Sequence, residues 1–368
     1  MSVVFLSPGG IHGGGGMGTV TRLLTKALQE RLPAIPIIVL DPRGDGLVYL
    51  FPFYFLWSLL RLVSIHVRHG IDVLHLNVSE RLSIPRKAFF LVYGRIFQIP
   101  VVLHHHGAEF IPEFHNRSSL YRAIVRWVVQ RADLNIVLGQ VWADFLICHL
   151  GASHDQVVLL YNAVPDPGID LSLERRGVAE RPLTLLMLAN LSPRKGVGEL
   201  LKALRIVIDL GQPVHLILAG GGDVSGYQKM AQELGIKSHC IFTGWVSPQR
   251  AQSLLADCDI FVLPSFYEGL PMSILEAFSY GVPVVATPVG SIPEVMTSGR
   301  DCLLVPPGDV AALAAALVDL VRDSDARQTL GRGGRRLFEQ TFNLDAYVDR
   351  LLVLYNGMKA QKAKCGAV

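Results

Sequence analysis

Charged residues are scarce in this chain. They form 18% of its 368 residues, whereas 50% of the residues are hydrophobic. Such a composition supplies ample side chains for large buried cores. Because 368 residues exceed what a single core usually organises, we expect two domains.

Cysteine is also scarce, and its spacing argues against two common roles. The five cysteines are scattered, none forms a C-x-x-C pair, and their number is odd. This pattern indicates a reducing compartment and argues against a disulfide framework or a structural zinc site. The cysteines are Cys148, Cys240, Cys258, Cys302 and Cys365.

No apolar run is long enough to cross a bilayer. The most hydrophobic segment, residues 47–60, contains Pro52 and falls short of the roughly 20 residues that a spanning helix needs. Two interpretations stay open: a buried or interface helix, or a segment that lies on the membrane with help from the following Arg61 and Arg68. Because the N-terminal SVVFLS reads directly as a strand, no secretory or transit signal is visible. We therefore expect a cytoplasmic protein, peripheral on the inner face of the cytoplasmic membrane.

Positive charge is concentrated in the first half of the chain. Residues 1–165 hold 14 Lys and Arg against 10 Asp and Glu, a balance of +4, so the remainder carries −1 of the total of +3. This asymmetry fits an anionic partner such as acidic lipid headgroups or a lipid diphosphate, and it is too small to indicate nucleic acid.

Apolar runs alternate with amphipathic segments, which is typical of βαβ units and parallel sheets. Residues 162–182, rich in Pro, Gly and charge, separate two such series and read as an interdomain linker. Each series predicts a doubly wound sheet, in which ligands bind beyond the carboxyl ends of the strands. The predicted strands are Val3–Leu6, Ile37–Leu40, Val73–Leu76, Val101–His104, Leu134–Val137, Val157–Tyr161, Leu183–Leu188, Val214–Ala219, Ile260–Leu263, Val284–Ala286 and Leu303–Val305.

Two carboxylates, Glu268 and Glu276, follow the buried strand Ile260–Leu263 at a spacing of eight residues. The first lies in a loop, and the second lies on the helix predicted from about Met272 to Tyr280. The N-terminus of that helix offers free backbone N–H groups to a phosphate, so acids beside it suit sugar and ribose hydroxyls. A sugar nucleotide has this combination of groups. The residues predicted to contact it are Glu268, Gly269, Leu270, Pro271, Met272, Ser273 and Glu276.

The same segment, PSFYEGLPMSILEAFSYGVPVVAT, resembles the donor-site signature of glycosyltransferase family 4, whose members are retaining enzymes of the GT-B fold. The resemblance implies an α/β architecture of two Rossmann-like, doubly wound domains that face a central cleft. It assigns acceptor binding to residues 1–165 and donor binding to residues 166–368. It also implies that a final helix, about residues 344–358, packs back on the first domain.

A glycine-rich loop, residues 8–18, joins the first strand to a helix predicted to begin near Thr19. Its backbone N–H groups could approach a phosphate closely, although it is neither a Walker loop nor a dinucleotide fingerprint. In family 4, Gly15 and Gly16 match the glycines that approach the donor diphosphate. The alternative is a flexible turn.

Three consecutive histidines, His104 to His106, end the fourth predicted strand. Neighbours in an extended segment point to opposite faces, so the run does not present all three rings to one metal ion. In family 4 a histidine at this point lies by the transferred sugar, and His106, before Gly107, matches it best. The other two histidines fit structural roles. Glu109 fits an acceptor contact or a surface role equally well.

Two cations, Arg194 and Lys195, follow the strand that ends at Leu188 and precede a helix. Cations are unfavourable at a helix start unless an anion is present, so this pair suits a diphosphate leaving group. Family 4 commonly has a further arginine where this chain has Asn190, which we include among the predicted donor-binding residues; whether Arg194 takes over the contact of that arginine stays open. The alternative is a solvated basic pair.

The remaining motifs are less specific. By resemblance, Trp245 and Val246 are candidates to contact the nucleotide base through their backbone, which leaves the identity of the base open. The pattern D-x-D, used by metal-dependent glycosyltransferases of another fold, occurs twice, and we interpret both occurrences as structural. They are Asp257 with Asp259, and Asp323 with Asp325.

The resemblance implies a retaining hexosyltransferase that uses a nucleoside-diphosphate sugar, with mannose or glucose as the sugar, and a lipid-linked oligosaccharide acceptor in exopolysaccharide synthesis. Lys195 and Arg194 would stabilise the departing diphosphate, Glu276 would bind the ribose, and Glu268 a sugar hydroxyl. His106 would position the sugar near the reacting carbon. Retention in the family is explained by front-face attack, so no protein nucleophile is assigned, and neither metal nor another cofactor is expected.

Two alternatives belong to other classes. A nucleotide-sugar epimerase shares this architecture but changes the configuration of the sugar, and it does not need the E-x7-E spacing. The other alternative is a non-catalytic nucleotide-sugar binding module. The intact cation, acid and histidine positions argue against it. The donor base and sugar, the acceptor linkage and the oligomeric state do not follow from the sequence.

Overall fold

The computed structural model describes residues 2–13, 15–44, 51–169 and 181–365. The chain forms two compact units, of which the first joins Met1–Ala163 to Leu344–Val368 and the second is Val164–Asn343. Each unit contains a six-stranded sheet in which all neighbouring strands are parallel. The predicted α/β class is therefore confirmed. Part of the predicted linker, residues 170–180, lies outside the described residues.

The first unit is built on strands β1 to β6. Consecutive side chains of β1 are all fully buried, so both faces of the sheet are covered, as expected for a parallel sheet. The strands are β1 Val3–Leu6, β2 Ile37–Leu40, β3 Val73–Val78, β4 Val101–His105, β5 Leu134–Val137 and β6 Val157–Leu159. Their spatial order is β2-β1-β3-β4-β5-β6.

The helices of the first unit connect these strands, and the last helix of the chain also belongs to this unit. They are α1 Gly15–Arg31, α2 Phe51–His69, α3 Ser83–Ile96, α4 Phe110–His115, α5 Ser119–Arg131, α6 Gln140–Asp144 with a π-helical continuation Phe145–His149, and α14 Leu344–Cys365.

The second unit repeats the plan. Its strands are β7 Leu183–Leu188, β8 Val214–Ala219, β9 Cys240–Gly244, β10 Ile260–Leu263, β11 Val284–Ala286 and β12 Leu303–Leu304, in the order β12-β11-β10-β7-β8-β9. Its helices are α7 Val197–Asp209, α8 Val224–Glu233, α9 Pro248–Asp257, α10 Met272–Ser279, α11 Ile292–Val295, α12 Val310–Arg322 and α13 Ser324–Leu337, followed by a π-helical segment Phe338–Phe342.

Short polar side chains fix where several helices begin. Each accepts a hydrogen bond from a backbone N–H of the first turn, which has no partner within the helix. The position of the capping residue in the sequence thereby determines the residue at which the helix begins. The capping residues are Ser118 for α5, Asp223 for α8, Ser247 for α9, Asp309 for α12 and Asp323 for α13.

The last helix, α14, packs within the first unit. Arg31 of α1 binds Asp345 at 3.1 Å and Asp349 at 2.5 Å. Further along, Lys359 lies 2.8 Å from Asp72, and the fully buried Tyr355 donates to or accepts from His75 at 2.6 Å. These contacts connect the end of the chain to the strands of the first sheet.

The apolar segment predicted at residues 47–60 forms the start of α2, and residues 47–50 lie outside the described residues. One side of α2 is buried through Ser58, Leu62 and Ile65. The other side exposes large apolar side chains. Across the described ranges, no helix combines the length and the apolar character needed to cross a membrane.

Candidate active site

The second sheet brings Lys195 and Glu268 together because of its strand order. The chain runs outward from β7 in one direction through β8 and β9, and in the other direction through β10 to β12. Strands β7 and β10 are therefore neighbours, pairing Ile260 with Leu185, although the two strands are far apart in sequence. Open α/β sheets bind ligands at such a switch point, beyond the carboxyl ends of the strands.

A buried ion pair occupies this switch point. Lys195 Nζ donates to Glu268 Oε1 at 2.5 Å, and the two side chains are only 13% and 6% exposed. The hydroxyl of Ser265 donates to the same carboxylate oxygen at 2.7 Å, and Ser265 is itself held by Thr287, whose hydroxyl donates to its carbonyl. Burial, ion pairing and hydrogen bonding together hold the ammonium in one place.

The loops that carry these residues approach each other closely. Gly196 has φ 68°, and a Cβ on it would lie 2.0 Å from the carbonyl oxygen of Pro264, so this position requires glycine. Beside it, Phe266 N–H donates to the carbonyl of Arg194 at 2.8 Å. The turn after β7 is thus joined through its backbone to the turn after β10.

Helix α10 begins four residues after Glu268. Pro271 precedes its first residue, and Leu270 and Met272 are buried there. The carbonyl of Gly269 accepts from Ser291 N–H at 3.0 Å, and Gly290 packs against the Glu268 carbonyl where a Cβ would lie 2.0 Å away. The helix N-terminus is therefore held firmly, with its N–H groups at the end where an anion is stabilised.

Glu276 lies one turn into α10 and is partly buried, as is Ser273. Its carboxylate is close enough to Tyr280 to affect that phenol: burial raises the pKa of Tyr280, and the charge of Glu276 raises it further. The two acids of the E-x7-E pattern therefore differ in surroundings. Glu268 is bound to a lysine, whereas Glu276 projects from the helix.

The other predicted donor residues lie at the ends of neighbouring strands. Asn190 follows β7 and is exposed, Trp245 follows the edge strand β9 and is 68% exposed, and Val246 is partly buried. The glycines after β8 pack on the turn after β7, since a Cβ on Gly220 would lie 1.8 Å from the Ala189 carbonyl oxygen.

The first sheet has a switch point of its own, between β1 and β3. Here Thr21 on α1 lies 2.9 Å from the Ser7 hydroxyl and accepts from Asn77 Nδ2 at 2.8 Å. Asn77 Oδ1 lies 3.3 Å from His106 Nε2. His106, which is partly buried, is thus connected through Asn77 to β3, and through Thr21 to Ser7 at the end of β1.

The three histidines point alternately, as expected for an extended segment. The rings of His104 and His106 are 4.0 Å apart, and His104 contacts His75 at 3.1 Å, while His105 contacts Asn135 at 3.1 Å on the other face. Both His104 and His105 are buried.

Burial determines the charge state of this cluster. It lowers the pKa of His75 to about 3 and that of His105 to about 4. The pKa of His106 is lowered to about 3, first by burial and then by the neighbouring His75, His105 and Lys87. These imidazoles are therefore neutral at neutral pH.

The glycine-rich loop is shorter than predicted. Helix α1 begins at Gly15 instead of near Thr19, so Gly15 and Gly16 lie in its first turn. The reason is packing, because a Cβ on Gly18 would lie 1.8 Å from the carbonyl oxygen of Gly13. Because Gly18 has no side chain, the first turn folds directly against the preceding loop.

Both D-x-D patterns make structural contacts. Asp259 accepts from Arg181 at 2.8 and 2.9 Å and from Thr184 N–H at 2.7 Å, at the amino end of β10. Asp323 caps α13. In the part of the chain that the structure describes, no group of three or more His, Cys, Asp or Glu side chains is arranged to hold a metal ion.

Several residues of the two switch points were not predicted from the sequence. Their roles depend on strand order, which a local pattern does not reveal. The run of three glycines after β8 was the one visible signal, since glycine permits close backbone approach. These residues are Thr21, Asn77, Gly220, Gly221, Gly222, Ser265, Thr287 and Gly290.

The sequence matches two families over most of its length. Residues 14–166 match the family described as Glycosyltransferase Family 4, and residues 170–337 match the family described as Glycosyl transferases group 1. Together the two matches cover most of the chain, and they confirm the resemblance to family-4 glycosyltransferases that the E-x7-E segment carries.

Curated relatives carry related names. A D-inositol 3-phosphate glycosyltransferase from Thermomonospora curvata is 32% identical over 59% of this chain and 58% of its own length. A GDP-mannose-dependent alpha-(1-6)-phosphatidylinositol monomannoside mannosyltransferase from Mycolicibacterium smegmatis is 33% identical over 46% and 47%. An amylovoran biosynthesis glycosyltransferase from Erwinia amylovora is 29% identical over 51% and 47%. The chain spans about half the length of the curated relatives it matches.

Solved structures share the fold along nearly the whole chain. Sucrose-phosphate synthase from Thermosynechococcus elongatus has a TM-score of 0.80 at 19% identity, with 98% of this chain and 99% of that chain covered. Anabaena HepE in complex with UDP has a TM-score of 0.75 at 19% identity, with 97% and 100% covered. These likenesses confirm the predicted GT-B fold class.

Proposed function

We propose that this protein is a retaining glycosyltransferase that moves a hexose from a nucleoside-diphosphate sugar to a lipid-linked saccharide in polysaccharide or glycolipid synthesis. The two family matches support sugar transfer. The observation that carries the proposal is the buried Lys195–Glu268 pair at the switch point of the second sheet, four residues before the N-terminus of α10. A cation and a helix N-terminus in one place suit a diphosphate.

The donor is assigned to the second unit. Lys195 and Arg194 bind the diphosphate with the backbone N–H groups at the start of α10, and these groups gain strength as negative charge builds on the leaving phosphate. Arg194 supplies the second cation, because Asn190, which stands where family 4 commonly has an arginine, is uncharged. Glu276 binds the ribose, and the Glu268 oxygen that does not bind Lys195 accepts from a sugar hydroxyl.

Retention follows from front-face attack in this scheme. The acceptor hydroxyl attacks the anomeric carbon on the side that the diphosphate leaves, and the leaving phosphate oxygen takes the hydroxyl proton. The protein then needs neither a nucleophile nor a base, only groups that stabilise the developing charge. His106, neutral at neutral pH because burial lowers its pKa to about 3, donates or accepts a hydrogen bond at the sugar instead of transferring a proton.

The donor is proposed to be GDP-mannose or a UDP-hexose. One relative is named as GDP-mannose-dependent, and one structural neighbour is described in complex with UDP. The acceptor is assigned to the first unit, where the positive charge of the sequence is concentrated. Exposed apolar side chains on α2 support a peripheral position on an anionic membrane.

A panel of UDP- and GDP-sugars tests the donor assignment by thermal shift. A ligand at 100 times its dissociation constant adds about 2.7 kcal/mol to the stability of the state it binds. We expect one or two sugars to raise the melting temperature, and Lys195→Met to abolish the rise. Lys202→Met is the matched control, because Lys202 is exposed on the helix that follows Lys195.

Incubation of the donor without acceptor separates transfer from epimerisation. The proposal requires that the sugar keeps its configuration and stays attached until an acceptor is supplied. Release of an epimerised sugar from the donor alone would replace this proposal with a nucleotide-sugar epimerase.

A further inference from the structure

Lys87 is a buried cation that the proposed reaction does not use. It lies on the second turn of α3, is 1% exposed, and its Nζ donates to the Ser83 hydroxyl at 3.0 Å. That hydroxyl also accepts from Ser79 N–H at 3.1 Å. An ammonium has three N–H donors, and among the described residues Ser83 is the one hydrogen-bond partner of Lys87. Burial with so little compensation favours the neutral amine, and an anion that completed the site would favour the charged form.

A second cation, Arg86, lies beside Lys87, and a third, Arg43, lies near Arg86. Burial and, after it, the neighbouring Arg86 lower the pKa of Lys87 to about 7, and Asp41 opposes the shift. The pKa of Arg86 is itself lowered by burial and then by Arg43. Asp41 already accepts from the N–H groups of Arg43 and Gly44 at 2.8 and 2.9 Å. Among the described residues, Arg86 and Lys87 thus both lie near the Asp41 carboxylate, which already accepts from two backbone N–H groups, and this local excess of positive charge attracts an anion.

This cationic cluster, formed by Arg43, Arg86 and Lys87, lies at the carboxyl edge of the first sheet. Asp41 directly follows β2, and His106 directly follows β4. The N–H of His106 donates to the carbonyl of Val78 at 2.8 Å, and the next residue, Ser79, donates to the Ser83 hydroxyl that Lys87 also binds. An anion on Lys87 would therefore be a close neighbour of the histidine that we assign to the transferred sugar.

Exposed apolar side chains lie beside the same cluster. Helices α2 and α3 pack together through Phe55, whose ring lies 5.3 Å from that of Phe89 and 5.4 Å from that of Phe90. At the start of α2, the guanidinium of Arg86 lies 5.1 Å from the centre of the Phe51 ring. The cationic cluster thus contacts the apolar helices where Arg86 packs on Phe51. The exposed apolar side chains are Phe53, Leu56, Trp57 and Leu60 on α2, and Phe89, Val92 and Ile96 on α3.

We propose that the cationic cluster binds the phosphate or diphosphate of a prenyl-type lipid acceptor, whose hydrocarbon chain lies on the exposed apolar side chains of α2 and α3. Charge complementarity selects the phosphate, and the adjoining apolar surface selects a lipid over a free anion. This inference rests on the proposed function, because it assumes that the first unit binds the acceptor. It assigns Lys87 a role as the buried anchor of the lipid phosphate.

Calorimetric titration with three probes tests this site. Farnesyl diphosphate carries both features, inorganic pyrophosphate carries only the anion, and farnesol carries only the apolar chain. We expect farnesyl diphosphate to bind tightest and to lose about tenfold or more in affinity in Lys87→Met, as when one charge-assisted hydrogen bond is removed. Farnesol binding should be unchanged. Lys26→Met is the control, because Lys26 is exposed on α1 of the same unit.

The pyrophosphate titration is run in Lys195→Met and in the Lys195→Met, Lys87→Met double variant, so that binding at the proposed donor site does not contribute. Weaker binding in the double variant supports the cluster. Equal affinity for pyrophosphate and farnesyl diphosphate would overturn the lipid assignment and indicate a free phosphate.

A second variant distinguishes loss of the binding site from misfolding. Arg86→Met removes a cation from the partly buried rim of the cluster, and it should weaken farnesyl diphosphate binding while the circular dichroism spectrum stays native. Affinities within twofold of the wild type in both Lys87→Met and Arg86→Met would overturn the inference. Nucleotide-sugar binding is measured on the same samples: its absence from the wild type would contradict the proposed function, whereas unchanged lipid binding in the variants contradicts only this site.

Discussion

The Lys195–Glu268 ion pair leads to a quantitative prediction for the second unit. The pair is 2.5 Å long and its side chains are 13% and 6% exposed, so it belongs with buried pairs and not with surface ones. Lys195→Met leaves the Glu268 carboxylate with the Ser265 hydroxyl as its partner. We expect this change to lower the free energy of unfolding by about 3–5 kcal/mol, since an unpaired charge then stays buried.

The reverse change, Glu268→Gln, leaves the ammonium of Lys195 buried beside a neutral acceptor. We expect it to destabilise the second unit by about 1–3 kcal/mol, because glutamine retains one oxygen for the hydrogen bond. The double variant should cost less than the two single changes together, with a coupling of about 0.5–3 kcal/mol.

Hydrogen–deuterium exchange of peptides from β7 and β10 measures these differences. It reports the opening free energy of the second unit without treating the two-unit chain as a two-state system. The control is Lys229→Met, which breaks an exposed pair of 3.8 Å with Glu233 and should change stability by at most about 0.5 kcal/mol. Additive single changes, each as small as the control, would refute the idea that the pair is a buried, preorganised unit.

Three further predictions concern the stability of the fold in acid, the activity in the presence of a chelator, and binding to anionic membranes. The pKa values of His75, His105 and His106 lie at about 3, 4 and 3 in the folded state, below the ordinary value of 6.5. The unfolded chain therefore binds more protons than the folded chain at acidic pH. As a result, the free energy of unfolding decreases as the pH falls below 6.5. At pH 5 each histidine should cost about 2 kcal/mol, and hydrogen exchange of β3 and β4 peptides, corrected for intrinsic rates, should show faster opening than at pH 7; equal opening free energies would contradict this. Sugar transfer should persist in EDTA, and activity that vanished with chelator and returned with Mn²⁺ would show that the reaction needs a metal. The protein should sediment partly with anionic vesicles and leave them as salt rises, whereas equal recovery in the supernatant with and without acidic lipid would exclude that attraction.

The buried strands could be predicted closely because both faces of a parallel sheet are covered, so each strand is a continuous apolar run. Val3–Leu6, Leu183–Leu188 and Ile260–Leu263 have the predicted bounds. Strand β9 was missed. It lies at the edge of its sheet, where Ile241 is 54% exposed and its neighbours are partly buried, so it has no continuous apolar run.

The candidate site could be predicted only as separate motifs. Lys195 and Glu268 were each singled out, yet their contact depends on β7 lying next to β10, and strand order is a property of the whole sheet. The same reason hid the Thr21–Asn77–His106 hydrogen bonds, which join three elements of the first unit. Lys87 gave no signal, because a lysine in an amphipathic helix normally reads as exposed.

Steady-state kinetics of transfer test the central claim most directly, with Glu276→Gln, Glu268→Gln and Lys195→Met compared against the exposed control Lys202→Met. Glu276→Gln should mainly raise the donor KM, since it removes a ribose hydrogen bond that contributes about 1.5–3 kcal/mol. Glu268→Gln should mainly lower kcat, because its contact strengthens in the transition state. Lys195→Met should impair both, because the diphosphate is bound in the ground state and gains charge as it leaves. Near-normal donor kinetics in Glu276→Gln and Lys195→Met would show that the nucleotide sugar binds elsewhere and would contradict the proposed site.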